Sequence, residues 1–594
     1  MSASGEHPAP SERIFDVLVV GFGPAGATLA NLLGQRGIDT LVVDKATAVY
    51  ELPRAFALDH EIMRTFQNIG IADAVLPYTR PFTASEYYGV DGQLIKRLGS
   101  VPPPYPQGWA PNLVFSQPPV ERALRDAATR RSSVTIQLGC ELIAHEQTYD
   151  RVTARLRDAG GDERTVAARY LVGCDGAWST VRESTSLRYE DLGFDEPWLV
   201  VDLLVAEHAL AKLPDVSIQY CDPARPCTYL VGPGNHRRWE ISVLPHEDRR
   251  ALEADAEVWR LLARWLTPAD ATLWRRASYR FHALVATEWR SGRVFIAGDA
   301  AHQQPPFTGQ GMCQGIRDVA NLAWKLERVL QRGSQDALLD SYAAERRSHV
   351  RRLTAVIKHI GTLIGERDPA KARARDARLL AESGGTIVTV PRQDLIPPLD
   401  AGCLSPLPHP ANGTLFPQPI VRHLDHARRL DDLTGNGVRI VAIGKLALDA
   451  DDRVAALASA LDASLVRLLP DEVPHAAVAQ STPPVVAVAE SEGVLAGWFA
   501  KHDCAAAIVR PDHYVYGVAQ DAMTLGDQLQ SLAQALGLAP TTGFATEPDT
   551  APTLHAAQAP SSAPQLDSTA VTAASWASAA TSSHPNPNPE RSAA

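Results

Sequence analysis

Three short stretches of this chain carry residue types whose spacing could do chemistry. The first is Gly21-Phe22-Gly23-Pro24-Ala25-Gly26. In a G-x-G-x-x-G turn between a strand and a helix, the first glycine allows the sharp bend. The second lets a pyrophosphate approach the backbone, and the third lets helix and strand pack closely. Helix N–H groups then face the negative charge. Asp44 follows Gly21 by 23 residues, where a carboxylate accepts hydrogen bonds from ribose hydroxyls, and Lys45 is grouped with it. The second stretch is Gly173-Cys174-Asp175-Gly176-Ala177-Trp178-Ser179, an Asp-Gly turn after an apolar run. The third runs from Gly298-Asp299 through His302, Pro305 and Pro306 to Gly309-Gln310-Gly311-Met312-Cys313. An acid at a strand end suits a polyol hydroxyl, and glycines at a helix start expose backbone donors that stabilise an anion.

Other chemistries lack their residues. No His-x-x-x-His pair or acidic triplet has metal-ligand spacing, so no metal is expected. No G-x-S-x-G elbow marks a serine nucleophile. His302 reads as a structural histidine of a packed loop. Arg225, Arg237 and Arg238 are candidates for pairing with a substrate carboxylate, set against the commoner solvated arginine. Tyr220 and Tyr229 are candidate pocket residues or ordinary strand aromatics.

Those motifs need a scaffold, and the apolar pattern supplies one. A strand over 14–20, a helix over 24–35 and a strand over 40–43 make a β-α-β opening. Further strands are expected at 134–139, 152–157, 166–173 and 293–297. The β-rich segments 199–205, 216–220, 227–231 and 238–244 predict an antiparallel sheet inserted at about 195–290. Helices are expected over 310–332 and, as one stretch, over 336–383. The resulting class is α/β: a Rossmann-like core over 13–390 with that inserted sheet. A Gly/Pro-rich linker over 391–415 follows, widened to 385–415 on composition alone. A small α/β unit over 416–544 has strands at 437–443 and 505–519 and a helix at 524–537. Residues 1–12 read as a disordered lead, and 545–594, dominated by Ala, Ser, Thr and Pro, as a disordered tail. Deleting that tail is expected to leave melting temperature and activity nearly unchanged.

Composition narrows the field. Hydrophobic residues at 45% and charged residues at 21% are ordinary for a globular chain. A formal charge of −11 argues against a nucleic-acid or anionic-membrane partner. No apolar run reaches a membrane span, and the polar start lacks a secretory core, so a cytoplasmic protein is expected. Seven cysteines without Cys-x-x-Cys fit reduced thiols.

The three motifs, in this order, resemble the FAD-dependent aromatic hydroxylases, the group A flavoprotein monooxygenases such as p-hydroxybenzoate hydroxylase. The resemblance implies that Gly21, Gly23, Pro24, Ala25, Gly26, Asp44 and Lys45 hold the ADP part of FAD. It implies that Asp175 meets both FAD and the nicotinamide, that Gly298 and Asp299 meet the ribityl chain, and that Pro305, Pro306, Gly309, Gly311, Met312 and Cys313 line the flavin ring. Arg54 and Gln117 match two more flavin positions. Trp178 departs from the motif, where a smaller or more polar residue is usual.

A narrower likeness, to the branch acting on 3-(3-hydroxyphenyl)propionate and 3-hydroxycinnamate, rests on Pro53-Arg54-Ala55, Asp222-Pro223-Ala224-Arg225-Pro226, Gly311–Asp318 and Val509-Arg510-Pro511-Asp512. It implies NADH or NADPH as reductant, NADH preferred, and dioxygen added to reduced flavin as a C4a-hydroperoxide. The product is a 2,3-dihydroxyphenyl acid in aromatic catabolism. The alternative is another phenol or an aromatic polyketide on the same fold. The C-terminal unit resembles a thioredoxin-like domain without Cys-x-x-Cys, which excludes dithiol chemistry there and leaves packing or oligomerisation. The partners implied are a small phenolic carboxylate and O2, with a homo-oligomer left open.

Overall fold

The computed structural model describes residues 13–469, apart from 424–425, 445, 447 and 449–450, and residues 485–538. The expectations for 1–12 and 545–594 lie outside the described residues.

The β-α-β opening forms as its pattern requires. Ile14–Val20 and Thr40–Asp44 are buried parallel strands, joined by the Pro24–Gln35 helix, whose proline stands in its first turn. They are central to an eight-stranded sheet with Val134–Leu138, Glu163–Gly173, Val294–Ile296 and Arg290–Ser291; an antiparallel pair, Cys140–Gln147 and Val152–Asp158, leans on Glu163–Gly173. Its register does the positioning. Val20 lies opposite Val43 on one side and Gly173 on the other, and Gly173 lies opposite Ile296. Four parallel strands therefore end level. Gly21, Asp44, Asp175 and Asp299 leave the same carboxyl edge, where open α/β sheets bind ligands.

The second sheet has nine strands in the spatial order 302–303, 271–286, 189–205, 236–242, 227–231, 217–220, 84–88, 94–99, 389–391. It is mostly antiparallel and draws on more chain than 195–290. Ala84–Tyr88 joins Ser217–Tyr220 in parallel, and Thr389–Pro391 joins Leu94–Gly99 in parallel. These short strands pair with distant chain, so local periodicity carries no sign of them. The long helix expected over 336–383 is divided. Asp340–Gly365 ends before Pro369, and Asp368 caps the next helix, Pro369–Glu382, by accepting from Ala370 and Lys371 N–H. A proline cannot donate to the turn before it, so the helix breaks there.

In the C-terminal unit, Arg439–Ile443, Ser464–Leu469 and Val485–Ala489 run parallel, and the Ala506–Val509 and Val515–Ala519 hairpin continues them antiparallel. With the Asp452–Ala460, Val494–Lys501 and Ala522–Ala535 helices, this is the thioredoxin-like arrangement. Among the described residues no helix is long and apolar enough to cross a membrane.

Candidate functional site

A cavity of about 740 Å3 runs from the Gly21 turn, past the Pro306–Met312 loop, to one face of the nine-stranded sheet. The turn at its head is built of glycines for steric reasons. Gly21 has φ +98°, and a Cβ there would strike the Cys174 carbonyl; a Cβ on Gly26 would strike the Gly21 carbonyl. Around Gly23, by contrast, nothing lies within 4 Å of a built Cβ. Gly23 is the N-cap of the Pro24–Gln35 helix and brings no side-chain cap, so the first-turn N–H groups stay available to an anion.

The acids beside the turn divide their work. Asp44 accepts from Phe22 N (2.7 Å) and Ala46 N (2.8 Å) and so shapes the loops. A carboxylate offers about four lone-pair sites, which leaves capacity for ribose hydroxyls. Asp175 accepts from Val181 N at 3.0 Å, its Oδ1 is buried without a hydrogen-bond partner, and burial raises its carboxyl above the usual range. Asp299 lies deep in the fold, where burial raises its carboxyl, yet its side chain opens onto the cavity and is accessible there. Arg125 also lines the cavity; it pairs with Glu121 at 2.9 Å while its Nε and Nη1 are buried and unpartnered. Open helix N–H groups, spare carboxylate oxygens and an under-satisfied guanidinium form a donor and acceptor set that fits a dinucleotide such as FAD.

The loop over the cavity's middle is held from below. Asp318 accepts from Gly298 N (3.0 Å), His302 Nε2 (2.8 Å) and Arg346 Nε (2.9 Å). His302 is buried, stacks on Trp289 and does not line the cavity, which agrees with its structural reading. Gln117 Oε1 accepts from Arg54 N (3.2 Å) and Ala55 N (2.7 Å), fixing the strap that carries Arg54 to the wall.

Of the residues expected from sequence, the cavity gathers Gly21, Gly23, Pro24, Ala25, Asp44, Lys45, Arg54, Gln117, Asp175, Gly298, Asp299, Pro306, Gly309, Gly311 and Met312. Gly26, Pro305 and Cys313 stand behind it; the Cys313 thiol faces the Ala57 carbonyl at 3.5 Å, and burial pushes it well up. The substrate-side candidates need correction. Tyr229 donates to the Pro214 carbonyl, Tyr220 lies against Trp265, and Arg225 is locked to Glu247 at 2.6 Å; none lines the cavity. Successive strand residues face opposite sides, and it is their neighbours Gln219, Thr228 and Leu230 that face in. Sequence reasoning also missed Glu240, Tyr87, Ser85 and Arg392. Arg238 does line the cavity, but it is held by Asp202 (2.7 Å) and by the Pro53 and Arg54 carbonyls. Among the described residues no group of three or more metal-ligating side chains is assembled.

Comparisons with known proteins bear on this geometry. Residues 15–356 match the FAD binding domain family, and residues 413–535 match the HcaD C-terminal domain. A probable NADH-specific resorcinol 4-hydroxylase of Rhodococcus jostii (strain RHA1) is 36% identical over 545 residues, spanning 91% of this chain and 99% of that protein. A 3-(3-hydroxy-phenyl)propionate/3-hydroxycinnamic acid hydroxylase of Escherichia coli O139:H28 is 32% identical over 543 residues, 89% of this chain and 96% of that one. The flavin-dependent monooxygenase PieE, solved with FAD and substrate, shares the fold with a TM-score of 0.73 at 22% identity, covering 89% of this chain and 100% of its own.

Proposed function

Because the chain belongs to the FAD-dependent aromatic hydroxylases, we propose that it uses NADH and dioxygen to hydroxylate a small phenol ortho to its hydroxyl group. The observation that supports this most is the single cavity that joins the glycine turn to a polar sheet face. In this reading the Gly21–Gly26 turn and the helix behind it hold the pyrophosphate, Asp44 the ribose, and Asp299 the ribityl hydroxyls. Arg54 and the Pro306–Met312 loop border the ring system. When bound, FAD supplies the transfer of electrons from the nicotinamide and the activation of dioxygen.

The protein's own part is to seat the phenol and keep water out. Phe307 closes one wall, with its ring centroid 5.3 Å from Trp198, 5.9 Å from Phe194 and 6.1 Å from Phe281. Such an apolar wall limits the loss of reducing equivalents as hydrogen peroxide.

The substrate class divides on one substituent. Resorcinol carries a second hydroxyl meta to the first, and 3-(3-hydroxyphenyl)propanoate carries a propanoate there. The sequence likeness points to the propanoate and to 3-hydroxycinnamate, with 2,3-dihydroxy products. Arg392 is the cation a propanoate would need: it lines the cavity, donates to the Thr308 carbonyl, lies over the Phe82 ring at 5.0 Å, and makes no ion pair among the described residues, so the choice between the two substrates turns on the polar groups of the sheet face. The test is NADH oxidation and oxygen uptake by the yellow protein, with product identification, across resorcinol, 3-(3-hydroxyphenyl)propanoate and 3-hydroxycinnamate. One hydroxylated product per NADH with at least one of them is expected. Oxidation indifferent to every phenol would overturn the reading.

A further inference from the structure

The sheet face of the cavity carries a polar row. The register sets Gln219 opposite Thr228, and Thr228 opposite Glu240, on three adjacent strands, and all three side chains line the cavity. Two of them are already occupied. Thr228 Oγ1 donates to Gln219 Oε1 at 2.5 Å, and Gln219 Nε2 donates to Ser85 Oγ at 3.4 Å. Glu240 is not. Its side chain is only 3% exposed, and its Oε2 is buried with no hydrogen-bond partner among the described residues. The two arginines nearest it in charge, Arg238 and Arg275, are both turned to Asp202, at 2.7 and 3.4 Å. Burial pushes the Glu240 carboxyl up to about 7.

A buried carboxyl group without a partner is costly. Such an orphan in a ligand cavity fits a donor that arrives with the ligand. That donor cannot bring an anion against this wall, since a second carboxylate would bury like charges together, and a phenol's own donor is its neutral hydroxyl. We propose that Glu240 accepts a hydrogen bond from a ring hydroxyl of the substrate and that this wall selects neutral phenols of the 1,3-dihydroxybenzene type over phenols bearing a carboxylate. One hydroxyl is anchored on Glu240 and the other stays free to direct the incoming oxygen to its ortho carbon. This rests on the hydroxylase reading above and decides between its two substrates.

The test uses the flavin-loaded, full-length enzyme with resorcinol and 3-(3-hydroxyphenyl)propanoate as probes. Wild type is expected to show the lower KM for resorcinol. Glu240→Leu removes the acceptor and should raise the resorcinol KM by about tenfold or more, with a smaller change in kcat. Glu240→Gln keeps an acceptor but removes the charge. It should raise the resorcinol KM only a few-fold and lower the KM for the propanoate, so the ratio of the two kcat/KM values moves toward the carboxylate. A merely structural role would move both substrates alike.

A wild-type preference for the propanoate, or a resorcinol KM unaltered in Glu240→Leu at wild-type flavin content, would overturn the proposal. If the leucine variant fails to fold, the ratio in Glu240→Gln decides, and an unmoved ratio overturns it. Wild-type enzyme that ignores both phenols instead overturns the parent reading, and this one with it.

Discussion

Glu240 sets stability against binding. Burial raises its carboxyl from 4.5 to about 7; Asp202 adds to that rise, while Arg238 and Arg275 oppose it. The folded chain therefore holds this proton more tightly than the unfolded chain does. Stability falls as pH rises from 4.5 to 7, with the cost absent below that window and complete above it. A shift of this size corresponds to on the order of 3 kcal/mol. Glu240→Gln is expected to raise Tm at pH 8, with a clearly smaller gain at pH 5.5. Thermal melts at the two pH values check this, and an equal gain at both rejects the account. Not every residue at this scale was equally legible. Asp44 and Asp299 stand at fixed distances from glycine turns, so spacing reveals them. Glu240 follows no motif, and its identity as an orphan exists only once three strands have paired.

Elements explain the rest of what the sequence showed and hid. Parallel strands of buried Val, Ile and Leu, each running into a glycine or an acid, are readable from residue order alone, and their level ends follow from register. The substrate sheet was harder. Ser217–Tyr220 and Cys227–Val231 are buried on nearly every residue, so two apolar-compatible faces compete and alternation does not say which one meets the ligand. Tyr220 and Tyr229 carry suitable chemistry but have the wrong parity, and their neighbours Gln219, Thr228 and Leu230 face the cavity instead. The flavin-side loop offers a test at this scale. Gly309 has φ +61°, and a Cβ there would come within 2.7 Å of the Ala57 Cβ. A β-branched residue at positive φ is strained and would also push the strap away from the loop. Gly309→Val is expected to purify with less than half the wild-type flavin per chain, measured by visible absorbance against protein. Full flavin content would contradict the proposed place of this loop.

Across the whole molecule, the C-terminal unit is fastened by buried charge, not by a broad apolar seam alone. Glu345 meets Arg510 at 2.6 Å and Lys325 at 3.0 Å, and Arg64 meets Asp431 at 2.5 Å. Tyr514 donates to Glu61, which pairs with Arg317; that arginine in turn donates to Gln310 at the start of the flavin-loop helix. Burial alone would raise the Glu345 carboxyl, but Arg510 and Lys325 hold it down at about 2. A depressed carboxyl contributes stability that is present above 4.5 and lost as pH falls toward 2. Removing one partner of a buried pair leaves a bare charge and costs about 3–5 kcal/mol. Arg510→Met is therefore expected to lower Tm by several degrees and to release flavin at a lower temperature, followed by calorimetry and flavin fluorescence. An unchanged flavin-release temperature would show that the clasp does not reach the loop. The strand Thr389–Pro391, read from composition as part of a linker, closes the edge of the nine-stranded sheet and delivers Arg392 to the cavity. Whether exchange of C-terminal units between related genes is neutral for chemistry thus depends on where the chains are joined. A crossover upstream of residue 389 brings in a foreign wall along with the new unit, whereas one after Arg392 lets the donor unit arrive while the recipient's diet stays its own.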